Sequence, residues 1–89
     1  MRELLIGERR LASADGRSLT CTYHLLIRTL DEPVSCESYG IAVRIAETGE
    51  EEKVFDITVS PARIEALAQL LLRGGVTPCT LTDVVEDWL

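Results

Sequence analysis

The sequence is poor in the residues from which chemical sites are built. Its 89 residues include one histidine and three cysteines, and no CxxC pair occurs. A structural zinc site binds its metal through four Cys or His ligands and would use all of these residues. An odd number of widely spaced cysteines is also not a disulfide framework. Because no phosphate-binding loop or hydrolase motif is present either, we predict no metal, no cofactor, no catalytic residue and no enzymatic activity.

Basic and aromatic residues are also scarce. Nine lysines and arginines stand against fifteen acidic residues, which gives a net charge of −6, and only four residues are aromatic. Binding to a phosphate backbone requires a basic surface, and binding to single strands adds an aromatic stacking platform. We therefore expect no direct binding to nucleic acid and no adsorption to an anionic membrane. A partner attracted by charge is expected to be basic.

Long hydrophobic runs are missing as well. No run of aliphatic residues is longer than three, as at residues 70–72. A membrane-spanning helix needs about 20 apolar residues, and residues 1–7 contain no apolar stretch of the kind found in signal peptides. The expected location is therefore the cytoplasm.

What the sequence does contain is a regular succession of turn signals and alternating segments. Turn signals occur at Asp15-Gly16, at residues 30–33, at Thr48–Glu50 and at Ser60-Pro61. The segments between them have the length of strands, which is typical of a meander. We predict strands at about 2–12, 18–29, 35–46 and 51–59.

Within these segments apolar residues alternate with polar ones, which predicts a sheet with one buried and one polar face. The buried face is expected to carry alternate residues of the last three strands: Leu19, Cys21, Tyr23, Leu25, Ile27, Tyr39, Ile41, Val43, Ile45, Phe55, Ile57 and Val59.

After Ser60 the apolar spacing becomes helical. Ser60 is a good N-cap, Pro61 suits the first helical position, and Gly74-Gly75 ends the helix. A second helix follows, and its apolar face includes Trp88. The helices are predicted at about 61–73 and 79–88. The predicted fold is a single α+β domain over residues 1–89, a four-stranded antiparallel meander with two C-terminal helices packed on one face.

The C-terminal part resembles a known family. The resemblance is carried by residues 55–60, by residues 76–78 and by the final Leu81–Leu89, together with Tyr39-Gly40-Ile41 before them. It covers roughly residues 36–89 and is to a family of small Firmicutes proteins classed as a domain of unknown function. It implies a bacterial source and assigns no activity, substrate or catalytic residue.

The leading functional hypothesis is a non-catalytic interaction or regulatory domain. The predicted core uses the apolar residues, and an acidic surface is left over for function. A basic protein surface is the natural complement of such a surface. The predicted partner-binding residues are Glu50, Glu51, Glu52, Asp83, Glu86 and Asp87.

Two alternatives remain open. One is a structural homo-oligomer, such as a dimer, formed through the polar face of the sheet, with Thr20, Thr22, Ser38, Ala42 and Thr58 in the contact. The other is a thiol-dependent enzyme. Cys36, His24 and Asp56 share one parity. A thiol that is activated by an imidazole, with the imidazole oriented by a carboxylate, is a known nucleophile arrangement.

Overall fold

Four antiparallel strands pair in the order in which they follow one another along the chain. The structure is a computed structural model that describes residues 1–31 and 36–89. The strands are β1 (Arg2–Ala12), β2 (Ser18–Leu30), β3 (Cys36–Ile45) and β4 (Glu51–Thr58). The helices are α1 (Pro61–Gly74) and α2 (Leu81–Trp88), and a 3-10 turn at Pro78–Thr80 precedes α2.

The predicted fold class is confirmed: the chain forms a four-stranded antiparallel sheet followed by two C-terminal helices. The turn predicted at residues 30–33 lies partly outside the described residues, because residues 32 and 33 belong to the segment that is not described.

One face of the sheet packs against both helices and is here called the helix-covered face. Alternate residues of β2 and β3 form its centre, as the alternation predicts, and residues of the helices complete the core. The buried cluster consists of Cys21, Tyr23, Ile27, Tyr39, Ile41, Val43, Ile45, Ile64, Leu67, Ala68, Leu71, Leu81 and Val85. The other face carries Thr22, His24, Ala42 and Arg44 and is called the open face.

A bulge in β4 interrupts the pairing with β3. Ile41 is paired with Val54 and Tyr39 with Thr58, so three residues of β4 stand opposite Gly40 alone. The bulged backbone lies directly against Gly40, since a Cβ atom there would be 2.3 Å from the carbonyl oxygen of Val54. Only glycine fits beneath this bulge.

The bulge also corrects the predicted orientation of β4. Extra residues in one strand change which face the following side chains meet. Phe55 is 47% exposed and Val59 is 60% exposed, so the prediction that both belong to the core is wrong. Ile57 packs against the buried cluster, as predicted, and Val54 packs there as well.

The open face differs from the predicted polar face. Thr58 is paired with Tyr39 and therefore lies on the helix-covered side, because paired residues share a face. Ser38, Ala42 and Leu26 are at most 4% exposed. The open face is thus not the exposed strip of small polar side chains that the alternation predicts, and the homo-oligomer through this face stays a prediction.

Helix α1 begins and ends as its sequence predicts. The side-chain oxygen of Ser60 accepts a hydrogen bond from the backbone N–H of Arg63 at 3.2 Å, and Pro61 occupies the first turn. Gly75 adopts a left-handed conformation with φ of 61° and ends the helix. This conformation costs glycine little, because glycine has no Cβ atom.

The C-terminal end of α1 lies over the middle of β1. A Cβ atom on Gly7 would be 3.1 Å from Leu72 Cδ2, so the helix approaches the strand closely at this glycine. The Arg9 guanidinium donates a hydrogen bond to the carbonyl oxygen of Leu72 at 3.0 Å. The helix is therefore fixed to the second half of β1.

The connection from α1 to α2 is attached to the core by two buried donors. The hydroxyl of Tyr23 donates to the carbonyl oxygen of Val76 at 2.9 Å, and the Cys21 thiol contacts the same oxygen at 3.6 Å. Burial raises the pKa of both side chains, so both keep their protons for these contacts.

Candidate functional site

The three residues of the thiol hypothesis lie apart in the structure. Cys36 is paired with Leu30, which is six residues along β2 from His24, a separation of about 20 Å in a strand. Asp56 lies in the β4 bulge and forms an ion pair with Arg28. The proposed arrangement of thiol, imidazole and carboxylate is therefore not assembled.

His24 is a half-buried residue of the open face. Its Nε2 atom lies 2.9 Å from the hydroxyl oxygen of Thr22, and burial lowers the pKa of the imidazole. The imidazole therefore favours its neutral form and has a hydroxyl group as its partner. The charged groups around it are Glu3, Arg44, Glu51 and Lys53.

Glu51 and Glu52, two of the predicted partner-binding residues, point to opposite sides of β4. Glu51 is paired with Arg44 and Glu52 with Val43. Val43 belongs to the core and Arg44 to the open face. Because successive side chains of a strand alternate, Glu51 lies on the open face and Glu52 on the side of the helices.

The charge of Glu51 is compensated within the chain. Arg44 forms an ion pair with it, and the Lys53 Nζ atom lies 3.7 Å from its other oxygen. The hydrogen bond from Arg44 lowers the pKa of Glu51, so the carboxylate stays ionised and bound to its neighbours. Glu51 therefore stabilises the open face and offers little charge to a partner.

Five of the predicted acidic residues lie along the β4 side of the domain, where α2 packs against β4. Two of the five, Glu50 and Glu52, line a shallow groove of about 260 Å³ together with Glu51, Pro78 and Cys79. The remaining three belong to α2 and are exposed. We call this set the acidic edge; it consists of Glu50, Glu52, Asp83, Glu86 and Asp87.

The acidic edge keeps its charge while five of the nine basic residues form ion pairs elsewhere in the described part of the chain. Ion pairs in the described part of the chain join Arg2, Arg17, Arg28, Arg44 and Lys53 to Glu3, Asp15, Glu37, Glu51 and Asp56. Among these same described residues, no member of the acidic edge takes part in an ion pair. A negative potential therefore develops along this side of the domain.

One arginine does reach α2. The guanidinium of Arg63 lies 4.5 Å from the centre of the Trp88 ring, a cation–π arrangement. This contact holds the end of α2 against α1, and it engages the guanidinium with the indole ring.

A larger groove, of about 480 Å³, opens where α1 leaves the end of the sheet uncovered. Its floor is apolar and its rim is polar, with an ion pair between Arg2 and Glu37. The hydroxyl of Tyr39 donates to Glu37 at 3.3 Å. The lining residues are Arg2, Ile6, Leu25, Ile27, Glu37, Tyr39, Pro61, Ile64, Glu65, Ala68 and Gln69.

This groove could not be found from the sequence. Its existence depends on the direction in which α1 crosses the sheet, and the alternation of β2 assigns Leu25 and Ile27 simply to the core. The acidic edge was found because runs of exposed charge are visible in the sequence.

Two kinds of site are missing from the part of the chain that the structure describes. Its His, Cys, Asp and Glu side chains do not gather in any group of three or more that could hold a metal ion. None of its helices is long and apolar enough to span a bilayer.

The fold and its surfaces define a small α+β domain that exposes an acidic edge and a separate apolar groove. The chain belongs to the family of unknown function DUF6514, whose model matches residues 2–89. The match includes β1 and β2, which the resemblance in the C-terminal part does not reach. The chain matches no curated protein and no solved structure.

Proposed function

We propose that this domain is a non-catalytic protein-interaction module whose acidic edge binds a basic surface of another protein. The observation that carries the proposal is the distribution of charge. The net charge is −6. Within residues 1–31 and 36–89, the acidic edge forms no ion pair, while five basic side chains are held in ion pairs elsewhere. Such a surface accelerates association with a basic partner and rejects an acidic one.

The groove beside residues 50–52 gives the acidic edge a shape as well as a charge. Pro78 is buried and Cys79 is exposed, so the groove is a shallow depression with glutamates along one wall. A lysine or arginine side chain of the partner fits this environment, because its aliphatic stem contacts the groove and its charge meets the carboxylates.

We place this function in a bacterial cytoplasm, with neither nucleic acid nor a membrane as the direct target. Three unpaired cysteines, two of them exposed, are typical of a reducing compartment. The negative surface disfavours both phosphate backbones and anionic lipids.

The chain provides two exposed thiols with which to test this proposal. Cys79 lies in the groove of the acidic edge, Cys36 lies at the start of β3, and Cys21 is buried. A benzophenone attached to Cys79 in a Cys36→Ser variant is photo-cross-linked in lysate of the source organism at low salt. The control carries the same group on Cys36 in a Cys79→Ser variant.

We expect a basic protein to be cross-linked through Cys79 and not through Cys36. Its affinity, measured with the purified partner, should fall about tenfold in Glu50→Lys/Glu52→Lys. It should be unchanged in Glu8→Lys/Glu65→Lys, which carries the same charge change outside the acidic edge. Equal capture through both thiols, or an affinity that the first variant does not lower, would refute the proposal.

A further inference from the structure

The outer edge of β1 is open for pairing. β1 is eleven residues long and lies at the end of the sheet, and no other described strand pairs with its outer side. An edge strand presents a row of free N–H and C=O groups, which is a template for pairing with another strand. Leu4 and Leu5 on this strand are 50% and 63% exposed.

We propose that β1 pairs with β1 of a second copy of this chain, antiparallel, to form a two-fold dimer with a continuous eight-stranded sheet. This goes beyond the function proposed above, because it uses the opposite side of the domain. The proposal rests on three observations: the orientation of the side chains along β1, the order of its charges, and the uneven cover that α1 gives it.

The orientation of the side chains selects the register. A bulge between Leu5 and Gly7 changes the parity of β1. The pairings with β2 show that even-numbered residues of β1 lie on the helix-covered face before the bulge. After the bulge, odd-numbered residues lie on that face. Residues paired across two strands must share a face. In an antiparallel pair the numbers of two directly opposed residues, one from each copy, add up to the same sum along the whole strand. The first half of one β1 therefore meets the second half of the other with matching faces only when this sum is odd.

Charge then chooses among these registers. A sum of 11 places Arg2 opposite Arg9 and Glu3 opposite Glu8, which are two repulsive pairs. A sum of 13 places Glu3 opposite Arg10 on the open faces, and two-fold symmetry makes this attractive pair twice. The register with sum 13 therefore satisfies both the faces and the charges, and its two-fold axis passes between Ile6 and Gly7.

The position of α1 over β1 favours the same register. In each copy the end of α1 covers the second half of β1 at Gly7 and Arg9. The first half, with Arg2 and Ile6, borders the open groove of about 480 Å³. Antiparallel pairing with matched faces puts both helix layers on the same side of the sheet. The covered half of one copy then lies beside the uncovered half of the other, so the second copy's Leu72 end of α1 borders the groove.

Charge exchange tests the register directly. The unmodified chain is expected to show a concentration-dependent mass approaching twice 9.8 kDa in sedimentation equilibrium. Glu3→Arg or Arg10→Glu alone should weaken the dimer about tenfold, since each creates two repulsive pairs. The double variant Glu3→Arg/Arg10→Glu should restore it. Glu86→Arg, an equal charge change on α2, should leave it unchanged.

A cysteine pair gives a second measurement that does not depend on charge. Glu3→Cys/Arg10→Cys is made in a Cys36→Ser/Cys79→Ser background. The two positions are seven residues apart along one strand, about 23 Å, so a disulfide between them joins two copies. We expect a covalent dimer from this variant and none from either single-cysteine variant.

Three results would overturn the dimer. One is a chain that stays monomeric at millimolar concentration, which would leave the β1 edge to a strand of a different protein. Another is a dimer that survives both single charge reversals, which would use another surface. The third is failure of the cysteine pair to cross-link while circular dichroism shows the variant folded.

Discussion

Gly40 decides how β4 joins the sheet. Its missing side chain leaves room for the backbone of Val54 and Phe55, and the bulge allows both Val54 and Ile57 to pack in the core while Phe55 stays exposed. The bulge includes Asp56, whose φ of 54° lies in the left-handed region. Aspartate tolerates this conformation better than most residues. One small residue thus makes room for the bulge that reorients the second half of β4.

We predict that Gly40→Ala lowers the free energy of unfolding by about 3 kcal/mol, as expected when a side chain meets fixed backbone. Urea denaturation followed by circular dichroism measures the change. The matched control is Gly74→Ala, where a Cβ atom has 3.8 Å to its nearest neighbour and should cost nothing. Equal stabilities of the two variants would mean that the bulge does not lie against Gly40.

At the scale of the elements, α2 depends on its partners. It has eight residues, too few to be stable as an isolated helix. Leu81 and Val85 are buried beneath it, and the half-buried Trp88 packs against the same cluster under Arg63. The helix is therefore held by side-chain packing at both of its ends.

Removing the indole should loosen this helix. We expect Trp88→Ala to lower the free energy of unfolding by about 2 kcal/mol, less than for a fully buried aromatic residue because Trp88 is only half-buried. Chemical denaturation gives the value, and Leu89→Ala, at a neighbouring residue that is 73% exposed, should change it by less than about 0.5 kcal/mol. A Trp88→Ala protein as stable as the control would show that α2 is not docked through this ring.

The sequence predicts the elements well where apolar residues recur at one regular spacing along the whole element. The alternation of β2 and β3 identifies the core residues Tyr23, Ile41 and Val43, and Ser60 and Gly75 mark the two ends of α1. It fails in β4, because a bulge depends on contacts between strands that no single-strand pattern contains. The prediction of Phe55 as a core residue is wrong for this reason.

The candidate sites also differ in whether a local sequence pattern or a contact between elements determines them. Exposed acids can be recognised from their sequence neighbourhood, but their ion pairs cannot. Glu51 and Glu52 look equivalent in the sequence, and only the pairing with β3 shows that Arg44 neutralises one of them. The apolar groove and the open edge of β1 arise from how far α1 extends over the sheet, and no local pattern encodes this.

At the scale of the whole molecule, the two sides of β4 differ in how their carboxylates are compensated. Glu51 is paired with Arg44 and Lys53 on the open face, whereas Glu52 belongs to the acidic edge. We predict that Glu52→Lys raises the free energy of unfolding by about 0.5 kcal/mol at low salt, because it reduces repulsion along the acidic edge. Glu51→Lys should lower it by about 1 kcal/mol, since it breaks an ion pair and places three basic groups together.

Thermal unfolding at low salt and at about 0.5 M salt measures both effects. The difference between these adjacent substitutions should shrink as salt screens the charges. Two changes of the same sign and size would contradict the assignment of Glu51 and Glu52 to opposite sides. The same measurement on Glu50→Lys/Glu52→Lys would show whether any binding that this variant loses is caused by unfolding.

The order of the elements along the chain has a consequence for synthesis. All four strands precede both helices, and the helices supply the cover of the apolar sheet face. At about 5 to 20 residues per second, the ribosome takes roughly 1.5 to 6 seconds to add residues 61–89 after the sheet residues. Until residues 61–89 have emerged and folded, any sheet that the preceding strands form has its apolar face uncovered, which is the kind of surface that a chaperone binds.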